Sequence, residues 1–335
     1  MKTINSCHAG GSGINIKIIW RCITMAHYEV KPSFYNYVFS PYLEPAIKVN
    51  PGDTVSLYTD DAFESRITSE DVSPKAAVRN AKFLNPQSGP VYINGAEPGD
   101  TLAVHFESIE FTRDWAVSCV MEYFGGLQSN SITKMLQKPL VEEVYIWKSK
   151  DKGQTWTNDK IGVTIPANPF CGTLATAPDT EAIQALTPGQ FGGNMDCPDI
   201  CPGHTIYLPV HNPGALFYIG DCHAAQGQGE LCGVALEISA KATLKFDVIK
   251  NKVTNWPRIE SPEKIMSVGS AKPMEDAARI AYADLIDWMV SDYGFKVLDA
   301  YELLTMVGGL YVANMVDTTY SLCASIEKKY LKRNS

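Results

Sequence analysis

Between residues 34 and 256 the apolar residues come in short, often alternating runs, interrupted every few positions by clusters of Pro, Gly and Asp. Segments this brief and this punctuated form strands rather than helices. Examples are 54–58, 101–106, 141–147, 205–210 and 233–238, so the first three quarters of the chain read as a β sandwich or barrel. The tetrapeptide Pro-Gly-Asp-Thr occurs twice, at 51–54 and 98–101, each time before an alternating run. Proline presets φ at the second position of a type II turn and glycine accepts the positive φ of the third, so these are turns and carry no function.

The pattern changes after Trp256. Over 273–293, Ala277, Ile280, Ala281, Leu285, Trp288 and Met289 recur at spacings of three and four and are followed by Gly294, which predicts an amphipathic helix. A second helix is expected over 297–306 with Asp299 at its start, and a strand over 310–316 after Gly308-Gly309. The expected division is therefore 1–24 as a leader or misassigned start, 25–256 as a β-rich catalytic region, 257–327 as a small α+β unit and 328–335 as a basic tail. Residues 14–20 are apolar but broken by Lys17 and followed by Arg21, too short and too charged for an export signal.

A net charge of -8 gives no electrostatic footprint for nucleic acid or an anionic membrane, and neither is an expected partner. The nine cysteines are odd in number and irregular in spacing, which suits reduced thiols in a cytoplasmic protein better than a disulfide framework. Cys197 and Cys201 form a close pair without the second Cys or His pair that a zinc ribbon needs.

The densest chemistry lies between Pro188 and Glu230. Gly192-Gly193-Asn194-Met195-Asp196 is followed by Gly220-Asp221-Cys222-His223-Ala224-Ala225-Gln226-Gly227-Gln228-Gly229-Glu230. Titratable groups interleaved with glycine suit a loop that approaches a ligand, and His223 is the best single candidate. The plainer reading makes these hairpin turns whose polar side chains satisfy backbone amides. His204 and His211 have no acidic neighbours and read as structural. Asp60 and Asp61, after an expected strand, suit either a metal site or a solvated loop.

The chain resembles the acetamidase/formamidase family over about Met25 to Val316. The strings that carry the resemblance are Asp61-Ala62-Phe63, the stretch Gly89-Pro90-Val91-Tyr92-Ile93-Asn94-Gly95, Pro169-Phe170-Cys171-Gly172-Thr173 and the two glycine-rich motifs above. The resemblance implies a mainly β fold with a jelly-roll-like sandwich, a β-barrel-like part and a small C-terminal α+β unit. It implies hydrolysis of formamide- or acetamide-like linear amides to a carboxylate and ammonia, a homo-oligomer, commonly a dimer, and a divalent metal in some members. Two departures stand out: Gln228 where the family loop often has an acid, and Ser65-Arg66-Ile67 where it often has Gly-Gln-Ile.

An amide hydrolase needs a nucleophile, a stabilised oxyanion and a proton for the departing nitrogen. No Gly-x-Ser-x-Gly elbow is among these motifs, which leaves water activated by a divalent ion or a cysteine. For the first route Asp196, His223 and Asp61 are the candidate ligands of zinc or calcium, with Glu230, His223 and Asp196 as catalytic groups. Asn194, Gln226 and Arg66 are candidate contacts to a small amide, and no organic cofactor is expected. For the second route Cys222 adjoins His223, but neighbours on a strand point to opposite faces. A sandwich that binds a carboxamide without turning it over, or an amidase of a larger substrate, remains the alternative.

Overall fold

The computed structural model describes residues 25–79, 81, 83–128 and 138–332; the expected leader at 1–24 and the last three residues of the basic tail lie outside them. The chain is mainly β, with 39% strand and 13% helix. Two sheets face each other. The larger has nine strands in the order His27–Val30, Thr54–Thr59, Ala240–Ile249, Thr101–Phe111, Thr205–Pro209, Arg258–Glu260, Lys264–Ala271, Tyr320–Glu327 and Gly309–Asn314. The second has five: Gly192–Asn194, Phe170–Ala175, Phe217–His223, Gln87–Ile93 and Ile47–Val49.

Their facing residues form the main core. Val55, Leu57, Leu102, Val104, Leu244 and Phe246 of the first sheet meet Val91, Leu174, Phe217 and Ile219 of the second. Phe217 and Phe246 stack edge to face across the interface with ring centroids 5.1 Å apart. A further open sheet of four strands runs Val163–Pro166, Thr155–Asn158, Glu143–Lys148 and Trp115–Val120. The sandwich matches the expected architecture, and its sheets stay open without closing into a barrel.

Both Pro-Gly-Asp-Thr segments are type II turns. Gly52 and Gly99 have φ of 91° and 90°, and each aspartate closes the turn twice. The Asp53 and Asp100 amides donate to the Asn50 and Glu97 carbonyls at 3.0 Å, and their carboxylates accept from the Asn50 and Glu97 amides at 2.8 Å.

The C-terminal segment follows its expected periodicity. Helix Met274–Tyr293 buries Ala277, packs Ala281, Leu285, Trp288 and Met289 with Ile265, Ala324 and Ile326 of the large sheet, and ends at Gly294 in the left-handed conformation. Its apolar face also carries Asp284, which is buried and takes Arg258 Nε at 2.7 Å and Ser267 Oγ at 2.8 Å. The second helix is Val297–Val307, with Asp299 in its first turn. The strands of 257–327 lengthen the nine-stranded sheet, so this segment shares the sandwich's backbone ladder rather than building a sheet of its own.

One expected strand is absent. Residues 233–238 form no regular ladder: Glu237 makes single bridges to Val117 and to His223, and Leu236 and Ile238 exchange isolated backbone hydrogen bonds with Cys222, Ala224 and Ala225. The lone acid in that apolar run is the reason: Glu237 turns towards buried polar groups rather than alternating with solvent.

Candidate active site

The site forms where strand alternation breaks. In Phe217–His223, Ile219 and Cys222 both pack into the core although they are three positions apart, while Asp221 and His223 both turn to the other side. A regular strand of period two cannot do this. Asp221 permits it by taking φ of 56°, a left-handed conformation uncommon for a side chain other than glycine. Asp196 and Glu230 share that conformation, with φ of 47° and 51°. Three acids of one site thus sit on backbone that only a surrounding fold can impose, and such residues gather at functional sites.

Gly172, on the neighbouring strand, leaves room for them. A Cβ there would lie 2.5 Å from Asp196 Oδ1 and 2.9 Å from Asp221 Oδ2. His223 Nε2 lies 3.3 Å from both Asp221 Oδ1 and Glu237 Oε1, an ion-pair distance without hydrogen-bond geometry. On the other side of the ring, Nδ1 is 3.0 Å from Gln226 Oε1. Gln226 Nε2 donates to the Asp196 and Ala313 carbonyls at 2.9 and 3.1 Å, which fixes the amide so that its oxygen accepts from Nδ1–H. Nε2 is then the nitrogen presented to the acids.

A second layer holds the acids in place. Asn194 Nδ2 donates to Asp196 Oδ2 at 2.9 Å and to Asp317 Oδ2 at 2.6 Å, and Asn314 Nδ2 bonds the same two oxygens. Asn85 Nδ2 donates to Asn194 Oδ1 at 2.9 Å and to Thr173 Oγ1 at 3.0 Å. Asp196 Oδ2 is therefore engaged. Asp196 Oδ1, Asp221 Oδ1, His223 Nε2 and Glu237 Oε2 are buried without a hydrogen-bond partner.

Such crowding shifts every proton equilibrium. Burial raises Asp196 and Glu230 well above the usual carboxylate range, with Asp317 and Asp196 respectively as the next cause. Burial likewise raises Asp317, and it lifts Glu237 to about 8 against the pull of His223. Asp221 goes the other way: burial would raise it, but the His223 charge and hydrogen bonds hold it below its ordinary value. For His223 burial opposes the charge, and Glu237 and Asp221 together reverse this and hold it well above the ordinary imidazole value.

Two triads of potential ligand atoms overlap at His223: Asp196, Asp221, His223, and His223, Glu230, Glu237, each with its atoms within 4.8 Å of one another. The four unpartnered atoms belong to this set, so one imidazole and several carboxylates could hold a divalent cation. Of the candidates from the sequence, Asp196, His223, Glu230 and Asn194 are brought together, and Gln226 lies beside them with its amide engaged by His223 and the backbone. Asp61 stands apart. Its Oδ1 accepts from the Phe63 and Ser65 amides and its Oδ2 takes Arg113 Nη2 at 2.6 Å, so both oxygens are already engaged. Arg66 pairs with Glu64 and does not line the cavity that opens above the cluster. Cys222 belongs to the core on the face opposite His223.

A cavity of about 640 Å³ opens above the cluster, with Asn85, Asn194, Asp221, Glu230, Glu237 and Asp317 among its lining residues. Glu230 also borders a second cavity of about 690 Å³. Gln228, where the family loop often has an acid, is solvent-exposed and borders only that second cavity.

Residues 25–188 and 179–326 match the Acetamidase/Formamidase family. The chain belongs to this family. An acetamidase from Yersinia enterocolitica of known structure is 43% identical, aligns over 92% of this chain and 94% of its own, and superposes with a TM-score of 0.88. An acetamidase from Bacillus halodurans is 28% identical over 91% of this chain and 98% of its own, with a TM-score of 0.80. Among curated relatives, a formamidase of Methylophilus methylotrophus is 24% identical over 263 residues, and an acetamidase of Mycolicibacterium smegmatis is 22% identical over 287. The chain spans 64% of the length of the first and 70% of the second. Among the described residues no helix is long and apolar enough to cross a membrane.

Asp221, Glu237, Asp317 and Asn314 were not singled out as site residues by sequence. Asp221 lies inside the second glycine-rich motif, Glu237 is the one acid in an apolar run, Asn314 falls within the expected C-terminal strand and Asp317 just beyond its end.

Proposed function

We propose that this protein hydrolyses small linear primary amides to a carboxylate and ammonia at the floor of the 640 Å³ cavity. The observation that carries the reading is the convergence of buried Asp196, Asp221, His223, Glu230 and Glu237, three of them on left-handed backbone. Family membership and the acetamidases and formamidases among its relatives point the same way.

Asp196, Asp221, His223 and Glu237 are the groups that would hold a divalent cation. A donor set that includes an imidazole favours zinc over calcium, whose ligands are oxygens. Such an ion supplies Lewis-acid polarisation of the amide oxygen and lowers the pKa of a water to about 7. The chain's own groups do the rest. Gln226 fixes the His223 tautomer, and Asn194 holds Asp196 in register. Glu230, whose burial makes it a stronger base than an exposed carboxylate, takes the proton of the attacking water as the C–O bond forms. It returns that proton to nitrogen as the C–N bond breaks.

A homodimer and a cytosolic location belong to the same proposal. Exposed Val297, Leu298, Tyr301 and Met306 support the first, and seven free cysteines among the described residues support the second. The test of activity is ammonia release from formamide, acetamide and propionamide, before and after chelation and with cation restored. Loss on chelation with recovery on zinc, and inactivity of Glu230→Gln, are expected. Inactivation by Cys222→Ala with metal content unchanged would instead favour a thiol nucleophile. Amide binding without ammonia release would leave a carboxamide-binding protein.

A further inference from the structure

The cavity over the acid cluster is larger than a one- or two-carbon amide needs. Its volume of about 640 Å³ lies in the range of sites that enclose drug-sized ligands. Its lining is also divided by chemistry. The polar groups of the cluster occupy the floor, while Phe63, Val78, Leu84, Met121, Phe124 and Val234 form the walls. These six belong to one hydrophobic cluster, together with Ile67, Val117 and Val144, so the walls are the exposed side of a packed core rather than scattered apolar side chains.

Little around the cavity attracts an anion. Six acids, Glu122, Glu142, Asp221, Glu230, Glu237 and Asp317, line it against two cations, Lys75 and Arg79. Lys75 is moreover engaged, with its Nζ 2.6 Å from Glu122 Oε2. An acyl chain with a carboxylate at its far end would lose its water against these walls with only Arg79 left to pair with it, whereas an apolar chain would replace water along an apolar wall.

We infer that this site takes neutral primary amides whose acyl group is apolar and larger than acetyl, with the carboxamide on the acid floor and the acyl chain against the Phe63–Val234 wall. The inference rests on the amide-hydrolase reading and narrows its substrate class. Water attacks the carboxamide carbon and ammonia leaves as for acetamide, so no additional reactant is required.

The experiment measures ammonia release by the intact, cation-supplied protein from acetamide, propionamide, butyramide, hexanamide and phenylacetamide, with succinamate as the anionic control. Burial of each added methylene against the wall predicts kcat/KM rising about fourfold per methylene. Val78→Trp and Met121→Trp, which fill the cavity from two different segments, should each lower the hexanamide-to-acetamide ratio at least about tenfold. A rising series and a falling ratio in either folded variant support the inference. A flat or falling series with acetamide still hydrolysed overturns it and leaves the hydrolase reading intact. Preference for succinamate over hexanamide overturns the apolar acyl assignment. Absence of ammonia from every amide overturns the hydrolase reading and this inference with it.

Discussion

Gln226 decides which nitrogen His223 can offer. Its own nitrogen is tied to two carbonyls, so its oxygen must face Nδ1, and a carboxamide oxygen can only accept. Gln226→Leu removes that restraint while keeping much of the volume. We expect cation affinity about tenfold to a hundredfold weaker, the usual effect of losing a ligand's supporting hydrogen bond, with far-UV circular dichroism unchanged. Calorimetric titration with zinc measures it, and unchanged affinity would remove Gln226 from control of the site. At this scale sequence reading worked where chemistry was concentrated. His223, Asp196, Asn194, Gln226 and Glu230 stand out because glycines surround them. Glu237 and Asp317 do not, because what makes them unusual is burial beside other acids, and burial depends on strands far away in the chain. Asp61 shows the converse: beside Asp60 it resembles a ligand, but its partner Arg113 lies 52 positions downstream and takes the charge.

At the level of elements, the turns were readable because their requirements are local. Proline, glycine and aspartate meet the φ, positive φ and amide-capping needs of four successive residues, and both turns form accordingly. Asp100 is further bound by Lys250 and by the Asn251 amide, at 2.9 Å for the latter. Burial would raise its pKa, but the Lys250, Asn251 and Glu97 hydrogen bonds lower it below the ordinary value. A carboxylate lowered in the fold stabilises it above its unfolded pKa of about 3.9, and that stabilisation is lost as pH falls through the lower folded value. Asp100→Asn should therefore lower the melting temperature at pH 7, and the gap to wild type should narrow as pH drops below about 4. Thermal melts of both proteins across that range check it, and a constant gap would assign the loss to altered packing. The break in alternation at Asp221 could not be read in the same way. Asp221 prefers no particular sign of φ strongly enough to announce it, and the bend is imposed by the packing of Ile219 and Cys222 on one side and the acid cluster on the other.

At the level of the whole molecule, the sandwich supports a site that works against folding. Asp196, Glu230, Glu237 and Asp317 are all raised chiefly by burial, which means that the fold resists their ionisation. The two facing sheets can hold that arrangement because their cores are continuous on the opposite side of the Phe170–Ala175 and Phe217–His223 strands. A divalent cation would relieve the repulsion, and it would stabilise the native state by about 2.7 kcal/mol at a free concentration one hundred times its dissociation constant. The same logic separates function from stability at Glu237. Glu237→Gln keeps the shape of the side chain and removes one buried acid, so the chelated variant should melt at or above the temperature of chelated wild type. Added zinc should raise the melting temperature of wild type and leave that of the variant nearly unchanged, with ammonia release lost in the variant. Differential scanning calorimetry in chelator and in zinc distinguishes the outcomes. A chelated variant that melts well below wild type would make Glu237 a structural partner of His223, and the site would then owe its order to ion pairing within the chain rather than to a cation.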